Sequence, residues 1–222
     1  MSNKKKFLIL IPAYNESKNI TSVLKKIDTK KNDVLVIDDG SNDGTKQISK
    51  KFGAKVINNE KNMGVDYSLN KGFFYALKKK YTHVITIDAD GQHSPSYIKI
   101  IKKYLNKHVD LVITDRIVFP RFSEKLFSIF SNKTIGVNDL LSGLKGYNLN
   151  TFKKYGCYDS FKSIGTELSF FSIFKYKASF KVIKIKVRKR VDNPRLGGIL
   201  KANFKILKAL FILKMKTSKT WN

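Results

Sequence analysis

The chain is poor in several residue types, and each shortage excludes a class of protein. Its 222 residues include a single cysteine, Cys157, so an internal disulfide framework is excluded and a reducing compartment fits. No apolar run reaches the roughly 18 to 20 residues that a membrane-spanning helix needs. We therefore expect neither a disulfide-stabilised secreted domain nor a transmembrane chain.

Acidic residues are also scarce, with 17 against 44 lysines and arginines, giving a net charge of +27. Such a charge implies an anionic partner, which could be nucleic acid, an anionic bilayer surface or phosphorylated substrates. Lysines are spread along the whole chain, so part of the charge reflects composition alone. The patterned part lies near the C-terminus.

The residues that are abundant indicate a folded domain. Hydrophobic residues make up 42% of the chain and aromatic ones 12%, which suits a buried core. The basic start and apolar run of residues 1–11 mimic a signal peptide. However, Pro12 ends that run, and Asn15 and Glu16 follow where small residues would precede a cleavage site, so a first strand is the better interpretation.

The first half of the sequence alternates between strand and helix patterns, which predicts an α/β fold with a mostly parallel central sheet. Strands are expected at 6–11, 33–37, 55–57, 83–87 and 110–114, with helices at 18–27, 44–51, 65–79 and 95–105. The second half is less regular. There we expect a partly helical flap over 117–137, strands at 143–148 and 180–187, and a helix over 163–176.

The most informative segment is residues 85–93, in which an apolar strand runs into Asp88, Asp90 and Gln92. Carboxylate and amide oxygens at a strand end are the hard ligands that Mg²⁺ or Mn²⁺ prefers, particularly when substrate phosphates complete the shell. An Asx-rich turn without a metal is the plainer alternative. Ligands of open parallel sheets bind at this edge, which favours the metal site.

A second polar turn, residues 38–45, follows another apolar strand. Asp38 and Asp39 stand at its start, where they could accept hydrogen bonds from a base or ribose, and two glycines allow a tight turn. An acidic turn that starts a helix is the structural alternative, because Asp43 suits the positive end of the helix dipole. Together with residues 12–16 and 88–90, this turn favours ligand binding.

These residues resemble the family 2 glycosyltransferases of GT-A fold, and among them the dolichyl- and polyprenyl-phosphate sugar (mannosyl or glucosyl) transferases. The resemblance covers residues 6–200 in order. It rests on six motifs: residues 11–16 (Ile-Pro-Ala-Tyr-Asn-Glu), 36–45, 62–72, 88–93 (Asp-Ala-Asp-Gly-Gln-His), 139–145 (Asp-Leu-Leu-Ser-Gly-Leu-Lys) and 190–198.

The resemblance implies a Rossmann-like single domain and a role for each motif. The nucleotide of a sugar donor would be bound by Pro12, Tyr14, Glu16, Asp38, Asp39 and Asp88. Asp88, Asp90 and Gln92 would hold Mg²⁺ or Mn²⁺ against the donor pyrophosphate. Arg190 and Arg195, with Arg188 and Lys189 as substitutes, would stabilise the leaving nucleoside diphosphate.

The acceptor is left open between two classes. A saccharide hydroxyl needs a general base, for which Asp139 is the candidate. A lipid phosphate is already anionic and needs cations to position it. The expected acceptor-binding residues are Arg116, Arg121, Lys125 and Ser142, with Lys133 as a further cation, although surface charge alone is the alternative for at least two of the cations.

Two positions depart from the family pattern. Asp66 stands where small residues are usual, and Lys145 replaces an arginine and would lose bidentate phosphate contact. The flap segment is short, which leaves the identity of the acceptor as the weakest inference.

The sequence predicts two regions, a GT-A domain over 1–198 and a basic amphipathic helix or tail over 199–222. The tail could lie on an anionic membrane surface or dock on the domain's own core. The expected function is transfer of a hexose from a nucleotide sugar of the GDP-mannose or UDP-glucose type to polyprenyl or dolichyl phosphate. The expected place is the cytoplasmic face of a membrane, where the protein would be peripheral. A nucleic-acid-binding protein is a remote alternative, because acidic strand ends would repel phosphates.

Overall fold

The computed structural model describes residues 5–117, 119, 121–188 and 198–218. The strands in this part of the chain are β1 (Phe7–Ala13), β2 (Asp33–Asp38), β3 (Lys55–Asn58), β4 (His83–Thr86), β5 (Leu111–Arg116), β6 (Lys145–Asn148) and β7 (Phe180–Ile185). The helices are α1 (Ser17–Ile27), α2 (Thr45–Lys51), α3 (Val65–Lys78), α4 (Tyr97–Asn106), α5 (Phe122–Ile135), α6 (Leu149–Tyr155), α7 (Glu167–Phe174) and α8 (Ile199–Ser218).

The seven strands form one sheet in the order β3-β2-β1-β4-β6-β5-β7. Strand β6 runs antiparallel to both neighbours, whereas the other adjacent pairs are parallel. The chain winds outward from β1 to β3 and then crosses to β4 on the other side of β1. This reversal leaves a crevice at the carboxyl ends of the strands, which is where ligands bind in open α/β sheets. The predicted mostly parallel sheet flanked by helices is confirmed.

Alternate strand residues point into two cores on opposite faces of the sheet. In β1, Leu8 and Leu10 join the core covered by α3, α5, α7 and α8. Ile9 and Ile11 join the core covered by α1 and α4. All four are at most 2% exposed, as the two-residue period of a strand requires when both faces are covered.

The second half differs from the prediction in two places. The helix expected over 163–176 begins only at Glu167, because the Asp159 carboxylate accepts hydrogen bonds from the Ser163 and Gly165 amides, each 3.0 Å long, and folds the preceding residues into a loop. Helix α6 was not predicted. It begins directly after β6, where the Asn148 side chain caps it by accepting from the Asn150 amide at 3.0 Å.

Helix α8 packs beside α5 over the first of the two cores. Ala202, Ala209 and Leu213 on its inner face are completely buried. At its start, the Asn203 side chain accepts a 2.5 Å hydrogen bond from the Ser123 hydroxyl at the start of α5. None of the described helices combines the length and apolarity needed to cross a bilayer.

Candidate functional site

Hydrogen bonds hold the loops after β1 and β2 together at the sheet edge. The Asn15 amide donates to the Ser41 hydroxyl and the Asn42 amide to the Asn15 side chain, both at 2.9 Å. Asn15 has a left-handed backbone (φ +53°), which asparagine tolerates better than most residues. Pro12 and Tyr14 are half-buried at this edge, within the first of the predicted nucleotide-binding motifs.

Glu16 lies at the start of α1 and is 5% exposed. Its carboxylate accepts a 2.8 Å hydrogen bond from the Asn19 side chain, and its amide donates to the Thr45 hydroxyl at 2.9 Å. The Glu16 backbone amide therefore joins the start of α1 to the start of α2, and its side chain fixes the first turn of α1. This contact lies beside the crevice where the sequence predicts nucleotide binding.

Asp38 and Asp39, which are adjacent in sequence, have different environments. Both carboxylate oxygens of Asp39 accept hydrogen bonds. The Asn59 side chain and the Met63 amide donate to one oxygen at 2.7 and 3.0 Å, and the Gly64 amide donates to the other at 2.8 Å. It thereby fixes the start of α3. Asp38 is completely buried, and its Oδ2 has no hydrogen-bond partner among the described residues. Burial raises the pKa of Asp38, and hydrogen bonds from Ser41 offset this only in part.

The segment after β4 carries the three predicted metal ligands. The Asp90 carboxylate accepts a 3.0 Å hydrogen bond from the Gln92 amide, which shapes the turn. The Asp88 side chain is 37% exposed at the strand end. Burial acts to raise the pKa of Asp88, but His93, Arg116 and Lys145 outweigh it and hold that pKa below its usual value. Asp88 is therefore ionised at neutral pH and suited to ligate a cation.

The predicted acceptor motif lies directly against this metal segment. A Cβ added to Gly143 would overlap the Asp88 carboxylate, so glycine is required for the close approach. His93 Nδ1 lies 3.4 Å from Asp88 Oδ2, and its Nε2 lies 3.3 Å from the Ser142 hydroxyl. The Ser142 hydroxyl lies in turn 2.6 Å from that of Thr114. Ser142 is 1% exposed, so its contacts connect the two motifs beneath the surface of the site.

Two predicted acceptor arginines are anchored by buried acids. The Arg116 guanidinium pairs with both oxygens of Asp139, at 2.6 and 3.0 Å, and the Arg116 amide donates to the same carboxylate at 3.1 Å. Glu124, which is 3% exposed, lies 3.6 Å from Arg116 and 2.6 Å from Arg121. Lys125 is exposed on the outer face of α5. The structure thus brings together Arg116, Arg121 and Asp139.

A cavity of about 290 Å³ opens beside Arg116. It is lined by two cations, one carboxyl group, two large apolar side chains and two neutral polar ones, namely Asp115, Arg116, Ile117, Phe119, Ser128, Asn138 and Lys184. A combination of cationic and apolar walls suits a ligand that carries both an anionic group and hydrocarbon.

Lys145 is buried under the site at 2% exposure and donates a 2.9 Å hydrogen bond to the Gly165 carbonyl. Burial lowers the pKa of Lys145 to about 8, although Asp139 and Asp88 act to raise it. The sequence indicated a weaker phosphate contact at this position. The structure gives the side chain an internal role in holding the loop before α7.

Of the predicted leaving-group cations, Arg190 and Arg195 lie outside the described residues, as does Lys189. Arg188 is described and exposed. Its amide donates to the Gln92 carbonyl at 2.9 Å, and its carbonyl lies 3.4 Å from the Gln92 side-chain nitrogen. The chain after β7 therefore runs alongside the metal segment before it enters the predicted basic loop.

Comparisons with known proteins identify the family. The model of "Glycosyl transferase family 2" matches residues 8–176, about three quarters of the chain. The chain belongs to this family. The predicted family resemblance and the predicted enzyme class, a glycosyltransferase, are both confirmed.

Individual relatives agree with this assignment. The glycosyltransferase is 42% identical over 113 residues to the uncharacterised protein MJ0544 of Methanocaldococcus jannaschii, covering 47% of this chain and about half (49%) of that protein's length. It is 30% identical over 184 residues to the UDP-N-acetylglucosamine–dolichyl-phosphate N-acetylglucosaminyltransferase of Methanococcus voltae, covering 69% of this chain and 73% of the relative.

A solved structure shows the same fold. Glucosyl-3-phosphoglycerate synthase of Mycobacterium tuberculosis, in complex with Mn²⁺, UDP-glucose and phosphoglyceric acid, superposes with a TM-score of 0.71 at 19% identity. The superposition covers 93% of this chain and 80% of that one. The predicted GT-A fold is thereby confirmed.

The strand-end residues of this glycosyltransferase fit a divalent cation. Among the described residues, no group of three or more His, Cys, Asp and Glu side chains has metal-binding spacing. The predicted set contains two carboxylates and one amide. Such a set leaves coordination positions for substrate phosphates, as is usual for Mg²⁺ sites.

Sequence reasoning missed His93 and Glu124 as parts of the site. His93 belongs to the quoted 88–93 motif, so its presence near the metal segment was visible, but Ser142, which it contacts, is 49 residues away. Glu124 stands three residues after Arg121, a helical spacing that places the two side chains together. This spacing was the available signal once α5 was recognised as a regular helix.

Proposed function

We propose that this chain is a metal-dependent inverting glycosyltransferase that moves a hexose from a nucleotide sugar to polyprenyl or dolichyl phosphate at the cytoplasmic face of a membrane. The main observation behind the proposal is the contact of the Asp88 carboxylate with Gly143 and His93. It joins a donor half rich in carboxylates to an acceptor half rich in cations. The name of the relative from Methanococcus voltae supports a dolichyl-phosphate acceptor.

The donor would lie along the crevice at the ends of β1, β2 and β4. Asp38 has a buried oxygen without a partner among the described residues, which suits a base or ribose hydrogen-bond donor. Asp39 acts indirectly by fixing the start of α3. Asp88, Asp90 and Gln92 would hold Mg²⁺ or Mn²⁺, which supplies charge stabilisation for a departing nucleoside diphosphate. The solved structure of the M. tuberculosis synthase contains Mn²⁺ and UDP-glucose, which supports a nucleotide-sugar donor and a divalent cation.

The acceptor half favours an anionic acceptor over a neutral hydroxyl. Both oxygens of Asp139 accept hydrogen bonds from Arg116, so this carboxylate is better suited to orient a guanidinium than to remove a proton. Arg116 and Lys184 line a cavity with Ile117 and Phe119, which suits a phosphate joined to a hydrocarbon chain. A phosphate oxygen is already negative and can attack the sugar without a general base.

The predicted cations of the basic loop would neutralise the charge of the leaving diphosphate. Arg188 is held beside Gln92, and Arg190 and Arg195 follow it closely in the sequence. Cations near the leaving group stabilise the charge that develops on it in the transition state.

The test is a transfer assay with the purified full chain and radiolabelled UDP-glucose, UDP-N-acetylglucosamine or GDP-mannose. Each donor is incubated with Mn²⁺ or Mg²⁺, with and without polyprenyl phosphate in detergent. We expect label in the organic phase only when polyprenyl phosphate and a divalent cation are both present. Label on soluble saccharide acceptors in place of lipid would overturn the lipid assignment, and equal transfer in EDTA would overturn the metal assignment.

A further inference from the structure

Helix α8 carries apolar residues on two opposite faces. The face that packs on the core carries Ala202, Ile206, Ala209 and Leu213, all at most 3% exposed. The outward face carries the two phenylalanines and a further leucine: Leu200 is 85% exposed, Phe204 69% and Phe211 63%. A helix that served only to close the core would place its largest apolar residues inward, where burial is most favourable.

The outward residues form one continuous stripe. Positions 200, 204, 207, 211 and 215 recur at intervals of three and four and therefore lie on one side of the helix. The buried positions 202, 206, 209 and 213 follow the same period on the opposite side. Lys201, Lys205 and Lys208 are exposed along one edge of the stripe.

Helix α5 extends this apolar surface. Phe122 is 70% exposed and Ile129 is 65% exposed, seven residues apart and so on one side of the helix. Lys125 and Lys133 are exposed on the same helix. The 2.5 Å hydrogen bond between Ser123 and Asn203 holds the starts of the two helices together. We call the exposed apolar residues of α5 and α8 and their lysines the α5–α8 platform.

We propose that the α5–α8 platform docks on an anionic lipid bilayer surface, with its apolar side chains entering the headgroup region and its lysines contacting lipid phosphates. The proposal deepens the proposed function, on which it rests for the lipid acceptor. An apolar stripe edged by lysines has the composition of a helix that lies in a membrane interface. Large apolar patches that stay exposed on a folded domain mark interaction surfaces.

Charge distinguishes a bilayer from other occupants. The one acidic residue in the two helices is Glu124, which is 3% exposed and pairs with arginines. The charged residues on the outward surface of the two helices are therefore all lysines. A second copy of the same platform would place lysines against lysines, whereas an anionic bilayer offers both the opposite charge and an apolar layer beneath it.

Docking in this way would bring the acceptor arginines to the depth of a lipid phosphate. Phe122, one of the most exposed platform residues, directly follows Arg121, whose guanidinium is held 2.6 Å from Glu124. When Phe122 enters the interface, Arg121 and its neighbour Arg116 lie at headgroup level. The membrane surface would thus position the acceptor as well as hold the enzyme.

The test is flotation of the purified full chain with vesicles of phosphatidylcholine alone or mixed with phosphatidylglycerol. Neither vesicle contains polyprenyl phosphate or nucleotide, so the result does not depend on the proposed reaction. We expect binding to the anionic vesicles. Phe204→Ser/Phe211→Ser should weaken it on the order of a hundredfold through lost apolar burial. Lys201→Gln/Lys205→Gln/Lys208→Gln should also weaken it about a hundredfold, at about tenfold or less per charge.

The contribution of α5 is tested with a matched pair. Ile129→Ser should weaken vesicle binding about tenfold. Ile100→Ser, an equivalent change at a 41% exposed position of α4 on the opposite face of the sheet, should leave binding unchanged. Equal effects of the two substitutions would overturn the two-helix platform, and undiminished binding of the double phenylalanine variant would overturn docking altogether.

Two further readouts separate this proposal from its alternatives. In detergent, Phe204→Ser/Phe211→Ser should retain the transfer activity of the unaltered chain, because these residues do not contact the site. Failure of the transfer assay together with normal vesicle binding would reject the function but keep the platform. A dimer of the unaltered chain in analytical ultracentrifugation that dissociates in the double variant would instead assign the platform to a second copy and overturn the proposal.

Discussion

The donor half and the acceptor half of the site hold their charges by different means. On the donor side, carboxylates are fixed by backbone amides of neighbouring loops, as Asp39 is by Met63 and Gly64. On the acceptor side, charges are fixed by opposite charges, as the Arg116 guanidinium is by the Asp139 carboxylate. The donor half therefore depends on how the loops at the sheet edge present their backbone amides, and the acceptor half on how β5, α5 and the loop before β6 bring opposite charges together.

This difference has a functional consequence. Substitutions on the donor side should change nucleotide and metal binding and leave acceptor binding alone. Substitutions among the acceptor charges should do the reverse. The following predictions test this separation.

The largest effect is expected from Asp90→Ala, which removes one of two predicted metal carboxylates. Turnover should fall roughly a thousandfold, because a metal contributes several kcal/mol to the stabilisation of a leaving diphosphate. Binding of Mn²⁺ in the presence of nucleoside diphosphate, followed by electron paramagnetic resonance, should weaken in parallel. Asp28→Asn is the control, because the Asp28 carboxylate is partly exposed and pairs with Lys31, and asparagine tolerates the left-handed backbone of this position (φ +57°). Normal turnover of the Asp90 variant would refute the metal site.

The next effect is a loss of stability in Asp39→Asn. Three donors converge on this carboxylate, and an amide group would turn its NH₂ toward at least one of them. The free energy of unfolding should fall by about 1–3 kcal/mol, as expected for an unsatisfied buried group. Urea denaturation measures it. The same substitution at Asp38 is the matched control and should not destabilise the protein.

A smaller and more selective effect is expected from Glu124→Gln, which keeps the shape of the side chain and removes its charge. Arg116 and Arg121 would lose a shared anchor, so the KM for polyprenyl phosphate should rise about tenfold. The KM for the nucleotide sugar should not change. A rise in both constants would show that the two halves are not separable.

The donor half of the site could be predicted from the sequence more fully than the acceptor half. Strand ends were predictable because the apolar strand residues stop at Asp38 and Asp88, and neighbouring parallel strands bring such ends together. The bidentate pairing of Arg116 with Asp139 could not be predicted, because choosing among many possible ion pairs requires knowing which elements pack together. Helix α6 was missed because its seven residues are too few to establish a helical period and, unlike the equally short α2, it follows its strand without a glycine-containing turn that marks its start.

The C-terminal helix shows the limit of periodicity more sharply. The pattern of residues 199–215 fits a membrane helix and a core helix equally, because α8 carries two apolar faces. Only packing beside α5 shows that the face with Ala202, Ile206, Ala209 and Leu213 is buried and the face with the phenylalanines exposed. The two alternatives left open by the sequence therefore apply to different sides of one helix, the docked side being observed and the membrane side proposed.

The smallest effect is a pH dependence that distinguishes Asp38 from Asp39. Burial raises the pKa of Asp38, so the folded protein holds this proton more tightly than the unfolded chain. The stability that the protonated form contributes is present in full below the unfolded pKa and is lost as the pH rises through the folded pKa. Asparagine stays neutral, so Asp38→Asn should gain stability relative to the unaltered chain as the pH rises from about 4 to about 7.

Urea denaturation at both pH values measures this gain, and nucleotide binding provides the second readout. Asp38→Asn should weaken nucleotide-sugar binding, because the buried Oδ2 is the acceptor proposed for the base or ribose. If the Asp38 carboxylate binds the nucleotide and lowers the stability of the fold, its replacement should give a more stable protein that binds the nucleotide sugar more weakly. Unchanged nucleotide binding would assign that role to another residue at the ends of β1 and β2.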